Sequence, residues 1–584
     1  MAQSPHVMET SRDRASRRRR TRVVTAGRVA CAAALLLCPA LLPGCASWYE
    51  SSADRDVYRA LDKYGRRTLG GRQQQVKRPQ PLATESQPTS DAVASAQGSA
   101  TQSAPTDADT PRPADAAAAS GPPAPQPGVL PLDLATSLRI GFRSGRDFLD
   151  QRDALYRSGL DYSLARFNFG PILDSTISYV WRNTEDQPSS DDGNATLSAR
   201  QILPTGGTLT GTAQASAARV NDIATPLWQQ RFAWDSSLQV SLRQPLLRGV
   251  GYEASHEELT AAQRGLIYAV RSFELFRQDF AINVAQVYYG LVSQQVRLAN
   301  DQQNYLDAVY DRQKAEALRQ LDRNKDDDVF LARRREIQSE DALLVSKTDY
   351  RLALDNFKIL LALPTATEIE IAPQEPEFSA VSFDAASAVD VALTNRLDLH
   401  TQRDRVDDAA RQVRIAANRL LPNLDLAADY RVSSGPDAGD DATPSVGDGS
   451  IGMTLNLPLN RQAERNAFRS AQITLAQARR NLEQTEDEIE RDILNQLRVL
   501  TQIEKRIALQ QDQIAYETRA VEVTRLRYES GDAETRDLLD ARQGLTNAQN
   551  ALINLKVQHF VARLRLMRGL GVLFVVEDGL WWPT

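Results

Sequence analysis

Residues 475–500, LAQARRNLEQTEDEIERDILNQLRVL, decide the fold. Leu475, Leu482 and Ile489 follow one another at heptad spacing, and Ile493 and Leu500 add a second line, the seam pattern of a coiled coil. The same pattern stands 209 residues earlier, in Leu266, Val270, Phe273, Phe280, Val284, Val287 and Leu291. Around each seam a polar run continues for roughly 65 to 70 residues with no Pro and almost no Gly, which as a helix is on the order of 100 Å long. A compact domain has no room for such a helix. Breaks fall near residues 323–328 and 529–533, after which the helical pattern resumes to about Leu363 and Leu570, so each run is expected to fold back as a long hairpin.

The two hairpins belong to a larger duplication. Asp133, Asp147, Pro171 and Tyr179 recur as Asp384, Asp398, Pro422 and Tyr430, each displaced by 251 residues. The offset is 213 at Pro245 and Pro458, in LRQPLLRG and LNLPLNRQ, so the first copy carries 38 more residues than the second between these markers. A repeat of this length with strand-like and helix-like parts is neither a short solenoid array nor a simple coiled coil.

Ahead of each hairpin the period changes to two. Leu173, Ile177, Tyr179 and Trp181 alternate with Asp174, Thr176 and Ser178, and Leu424, Leu426, Ala428, Tyr430 and Val432 alternate with Asp425, Asp429 and Arg431. Leu238, Val240 and Leu242, and later Ile451, Met453, Leu455 and Leu457, alternate in the same way with polar neighbours. Strands of about ten residues with one apolar face fit a transmembrane barrel. A soluble sandwich alternates identically, and the long helices favour the barrel. One chain has too few strands to close a barrel, and open edges are not tolerated in lipid, so the chain must oligomerise. Three copies of four strands give twelve. The extra residues of the first half contain NATLSARQILPTGGTLTGTAQASAA (194–218), which reads as a further hairpin about Pro204-Thr205-Gly206-Gly207. If it joins the barrel, three copies give eighteen strands; otherwise it decorates a rim. The expected fold class is a mixed α and β membrane protein, internally duplicated, with a transmembrane β-barrel formed by an oligomer and a long α-helical coiled-coil tunnel.

The N-terminus reads as an export signal. Arg17 to Arg20, with Arg22 and Arg28, precede an apolar stretch from Val29 to Leu42, about 14 residues against the roughly 20 of a membrane span. It ends Leu42-Pro43-Gly44-Cys45-Ala46, which resembles the lipobox of bacterial lipoproteins and implies a diacylated, palmitate-bearing Cys45. Cys31 and Cys38 lie in the part to be removed, so the mature chain keeps one thiol and no disulfide. Ala46 and Ser47 resemble lipoprotein residues that do not retain a protein at the inner membrane. An incidental cysteine after an ordinary secretory signal is the alternative. Residues 71–130 are rich in Pro, Ala, Ser, Gln and Thr, too poor in large apolar side chains to offset chain entropy.

Several chemistries are not suggested. Over 584 residues the formal charge is −6, and outside the N-terminus no basic patch points to nucleic acid. His6, His256, His400 and His559 are scattered without metal-ligand spacing, and no phosphate-binding loop or nucleophile–base constellation is found. The expectation is no enzyme, no cofactor and no metal.

The duplicated strand-helix pattern, QPLLRG before the first long helix, and Arg527-Tyr528-Glu529-Ser530-Gly531 followed by Asp537-Leu538-Leu539-Asp540-Ala541 together resemble the TolC-like outer-membrane efflux factors, over roughly residues 130–572. The resemblance implies a lipid-anchored homotrimer in the cell outer membrane, with a twelve-strand barrel and an α-helical tunnel across the periplasm. It also implies a passive duct of a tripartite efflux or secretion system, served by a periplasmic adaptor (membrane fusion) protein and an inner-membrane transporter. A lipid-tethered periplasmic coiled-coil protein without channel activity is the competing reading.

The implied organisation is a signal peptide at 1–44, a lipid-anchored segment at 45–70, a disordered linker at 71–130, and a first repeat at 131–370, its strands about 171–244 and hairpin about 253–363. A second repeat occupies 380–572, with strands about 422–457 and hairpin about 462–570, before a tail at 573–584. By the same resemblance, Asp537 and Asp540 match acidic residues that ring the periplasmic aperture, and Tyr528 a latch tyrosine; solvated helix residues near a turn are the alternative. Ala533 stands where some relatives carry a basic latch residue, with Arg536 close by. Gly531 and Asp532, with Asp326, Asp327 and Asp328 at the first hairpin, are the implied adaptor-contact tips.

Overall fold

The computed structural model describes residues 46–69, 130–184, 187–221, 233–320, 326–374, 376, 378, 384–434, 447–530 and 532–575. The signal segment, Cys45, the linker to residue 129, Gly531 and the last nine residues lie outside them.

Helix α1 (Ala46–Leu69) comes first. The first half then runs strand β1 (Leu130–Leu132), helices α2 (Leu134–Ser144) and α3 (Arg146–Asn168), and strands β2 (Ile172–Thr184), β3 (Gln187–Ile202), β4 (Thr208–Asn221) and β5 (Ala233–Pro245). The single turn α4 (Tyr252–Ser255), the long helix α5 (Glu257–Gln320) and its return α6 (Asp326–Leu360) complete it. The second half runs β6 (Ile369–Ile371), α7 (Ala385–Asn395), α8 (Leu397–Asn418), β7 (Asn423–Ser434), β8 (Asp448–Asn456), α9 (Gln462–Ser530) and α10 (Thr535–Gly569).

The duplicated residues have physical work at matching places. The Asp133 carboxylate caps α2 by accepting from the Thr136 N–H at 2.8 Å, and Asp384 caps α7 by accepting from Ser387 N–H at 3.0 Å. Asp147 and Asp398 lie in the first turns of α3 and α8, where the helix dipole favours a carboxylate. Pro171 and Pro422 stand immediately before β2 and β7. The helix pairs α2–α3 and α7–α8 precede the strands and are absent from the sequence expectation, which began each half with strands.

The strands form one antiparallel sheet in the order β2-β3-β4-β5-β7-β8. The extra hairpin lies inside it, so the first half contributes four strands rather than a pair. Alternation matches across the ladder: the row Leu173, Ala199, Gly211, Val240, Tyr430 and Gly449 crosses all six strands. On that face Ile177 and Ile451 are 85% and 82% exposed, unusual for large aliphatic side chains in a water-facing sheet. The opposite face is polar and carries the Arg243–Asp425 ion pair at 2.7 Å.

The long helices form a layer in which α6 packs on α5, α5 on α10, and α10 on α9. Leu266, Val270, Phe280, Val284, Leu291, Ile489, Ile493 and Leu500 of the seams are buried. About 35 Å along α5 from its sheet end, β1 pairs in parallel with β6, and Phe280 fills the junction with Phe142 and Phe148, ring centroids 5.6 and 5.7 Å away. Gly141 and Gly145 make room for it, since a Cβ at either would meet the Phe280 ring at 3.1 or 3.0 Å. Helix α1 docks on α3 and α5 through Val57, Leu61 and Tyr64 against Leu155, Tyr162 and Leu266. Among the described residues no helix is long and apolar enough to cross a membrane.

Candidate functional site at the helical tips

The far ends of the two hairpins hold most of the singled-out residues, and they meet side by side because α10 packs on α5. Asp311 of α5 and Arg542 of α10 form the central contact: Arg542 donates to the Asp311 carboxylate at 2.7 Å, with the Asp311 side chain only 10% exposed. Burial pushes the Asp311 carboxyl above its ordinary range despite the neighbouring Arg542 and Lys314 cations. Beside it, the Arg335 guanidinium of α6 donates to the Gln543 side-chain oxygen of α10. Burial lowers the Arg335 pKa, and the charge of Asp540 opposes that shift. Arg312 bonds Glu336 at 2.5 Å and Glu316 at 2.8 Å, tying α5 to α6.

Tyr528, near the end of α9, lies under Lys314 of α5, whose ammonium is 4.7 Å from the ring centroid. Its contact is therefore a cation over a ring. Asp537 occupies the third position of α10 and accepts from the Glu534 N–H at 3.2 Å, in a reciprocal capping box. Asp540 is exposed, with Arg536 at 3.8 Å and the Arg335 cation close enough to feel its charge. Asp532 closes the turn, its N–H bonded to the Arg527 carbonyl at 2.8 Å and its carboxylate to Ser530 at 3.0 Å. Gly531 lies outside the described residues.

At the first tip, Asp326, Asp327 and Asp328 form the first turn of α6, where unpaired N–H groups stabilise carboxylates. Asp326 also pairs with Arg319 at 2.5 Å. The structure thus brings Tyr528 to Lys314 and Asp326 to Arg319, while Asp540 faces solvent. Sequence reading missed Asp311, Lys314, Arg335 and Arg542. At the 209-residue offset Arg542 recurs as Arg333, but Asp311 meets Ala520 and Lys314 meets Val523, so the pairing itself has no counterpart in the other copy.

A second polar region lies higher, where α5, α10 and α9 border a cleft of about 840 Å³ lined by Gln286, Gln294, Asn495, Gln496, Asn550 and Gln558. Beside it Ser293 donates to Asn554 at 2.6 Å and Asn300 to Asn550 at 2.7 Å, so amides bridge α5 and α10 where a soluble coiled coil would use apolar side chains. The described histidines lie apart: His256 stacks on Tyr252, His400 faces the Thr394 carbonyl, and His559 is 3.5 Å from Glu504. Among the described residues no group of three or more His, Cys, Asp or Glu side chains could hold a metal ion.

Residues 388–572 match the outer membrane efflux protein family. No curated protein matches the chain significantly. Among solved structures the chain resembles the CmeC outer membrane channel of Campylobacter jejuni, at 16% identity and a TM-score of 0.56 over 75% of this chain and 85% of that one. The outer membrane protein VceC of Vibrio cholerae is similar at 17% identity and a TM-score of 0.56, covering 75% of this chain and 96% of that one. The Neisseria gonorrhoeae MtrE outer membrane channel, solved in an open state, matches at 15% identity and a TM-score of 0.51, over 75% and 89% of the two chains. At these identities the likeness establishes the shared fold.

Proposed function

We propose that this chain, whose residues 388–572 match the outer membrane efflux protein family, is one subunit of a trimeric efflux duct in the outer membrane. The observation that carries the reading is the six-stranded sheet with an exposed apolar face and two free edges, β2 and β8, standing on a layer of very long helices. Such a sheet is stable in lipid only when its edges find partners. The helix layer has the same need, because α6 and α9 are its flanks. The first half supplies β2 and α6 to one flank and the second half β8 and α9 to the other, so head-to-tail closure serves both layers at once.

Cys45 is the lipid attachment in this reading. Support comes from α1, which begins at the next residue and is held against α3 and α5 near the sheet. The duct is passive: an inner-membrane transporter supplies energy, and a periplasmic adaptor joins it to the tips, at Gly531 and Asp532 and at Asp326, Asp327 and Asp328. Asp537 and Asp540, repeated around the ring, place negative charge at the periplasmic aperture and bias it toward cations.

Purified protein is expected to run as heat-modifiable trimers and to conduct ions in planar bilayers. A monomer that is soluble without detergent and non-conducting would sink the duct reading. Within the aperture, Asp540→Ala is the cleaner probe, because Asp537 also caps α10 and its loss costs about 0.5–1 kcal/mol of helix stability. Asp540→Ala should weaken block by divalent cations at unchanged stability, and an unchanged block would move Asp540 away from the constriction.

A further inference from the structure

We infer that β3 and β4 are two additional membrane-spanning strands in every subunit, so that three copies close an eighteen-stranded barrel rather than a twelve-stranded one. The inference rests on the trimeric duct reading and specifies the outlet of that duct.

Three observations carry it. The first is connectivity. In the sheet β2 touches only β3, and β5 is reached from it only through β4, so a hairpin turned out of the sheet would leave β2 unpaired. The second is the face. On β3 and β4 the side chains sharing the face of Ile177, Val240 and Tyr430 include Ala195, Leu197, Ala199, Leu209, Ala213 and Ala215. That face carries no charge from Gly193 to Gln201, about 26 Å of strand, comparable to the apolar band of an outer-membrane barrel. The first charges, Asp191 and Arg219, sit opposite each other at the end far from the helices. Thr196, Thr212 and Gln214 point to the polar face.

The third is the turn. Leu203 to Gly207 lies at the helix side of the sheet and is built into the junction between β5 and α5. Gly251 N–H donates to the Thr205 carbonyl at 3.0 Å, and the Thr205 hydroxyl donates to Gln244 at 2.7 Å. Gly206 has φ of 91°, and a Cβ there would meet the Gly249 carbonyl oxygen at 2.4 Å, so the seat admits only glycine. A rim decoration would not need this fit.

Closure is consistent with six strands. An even number of antiparallel strands makes β8 of one copy run opposite to β2 of the next, so the ladder stays antiparallel around the ring. Because barrel diameter grows roughly linearly with strand number, eighteen strands give an outlet about 1.5 times as wide as twelve.

Cryo-electron microscopy of the full-length assembly in lipid nanodiscs counts copies and strands together. Three copies with eighteen strands are expected. Three copies with twelve strands overturn the inference and leave the duct standing, whereas a single chain without a ring overturns both. Thiol labelling in proteoliposomes is independent of imaging. Gln214→Cys should react with a membrane-impermeant maleimide at least roughly tenfold faster than Ala213→Cys, which should react only after detergent is added. Equal labelling of the two would place the hairpin outside the bilayer. Deletion of residues 187–221 should narrow the outlet by about one third, read by exclusion of neutral polymers. An unchanged polymer cutoff would overturn the inference.

Discussion

Arg542→Ala is expected to cost about 2–3 kcal/mol and to loosen the tip end of the helices, because it strands the Asp311 carboxylate in a site that is 10% exposed. Asp311→Asn should cost less than about 1 kcal/mol. The amide still accepts from Arg542 and removes a charge that burial already disfavours. The asymmetry also has a pH signature. Because the folded carboxyl has a raised pKa, the folded state takes up this proton before the unfolded chain does, so the penalty is absent at acid pH and grows as pH rises through the raised value. Arg542→Ala raises that pKa further by removing the opposing cation, so its deficit should be largest near neutrality and shrink on acidification. Thermal unfolding midpoints across pH, with hydrogen exchange at residues 305–320 and 535–550 to localise the loosening, check this. Equal costs for the two variants, or a deficit independent of pH, would remove the pair from its role. In bilayers the same loosening should appear as higher leak conductance for Arg542→Ala than for Asp311→Asn.

The contrast between that pair and the seams shows what a sequence can display. Leu475, Leu482 and Ile489 announce a helix because each large apolar side chain repeats locally, and the tip breaks are marked by Gly and runs of Asp. Asp133 and Asp384 stood out through duplication, and their capping bonds explain why the residue type recurs. Asp311 and Arg542 have no local period, and their pairing exists only once α10 lies on α5. The helices α3 and α8 escaped notice for another reason. Helix α8 buries Ala409 and Ala416 beside Leu399 and Ile415, which blurs its apolar face, whereas α3 buries Phe148, Leu155 and Tyr162 at heptad spacing, a short stripe that the sequence reading passed over. Gly159 sits where a Cβ would meet Val57 at 2.6 Å, so at that point α3 packs by close backbone approach to α1. The third hairpin was legible as a hairpin from Pro204 to Gly207, but its place between β2 and β5 depends on register across three strands.

A double substitution on the flanks of the helix layer, Ile337→Glu with Tyr516→Glu, is expected to leave the chain folded and to abolish the ring. Phe330, Ile337 and Leu344 line α6 at heptad spacing, and Leu509, Tyr516 and Val523 line α9 in the same way. All six are exposed in one subunit, Ile337 at 59% and Tyr516 at 77%. Counted back from the tips, Phe330 stands near the height of Val523, Ile337 near Tyr516, and Leu344 near Leu509, each pair within about 5 Å. Two stripes with equal spacing and matching height, on opposite flanks of one layer, are complementary under rotation, so in the proposed ring α6 of one copy would meet α9 of the next. Within an isolated subunit these side chains bury little, and their replacement should change its stability by less than about 0.5 kcal/mol. At each seam the loss is about 3 kcal/mol of apolar burial, and two carboxylates brought together add repulsion. Ring closure depends on every seam, so the trimer population should fall more than roughly 100-fold, read by native mass spectrometry, while circular dichroism keeps the helical signal. A variant that remains trimeric would mean that these stripes face something other than a second copy.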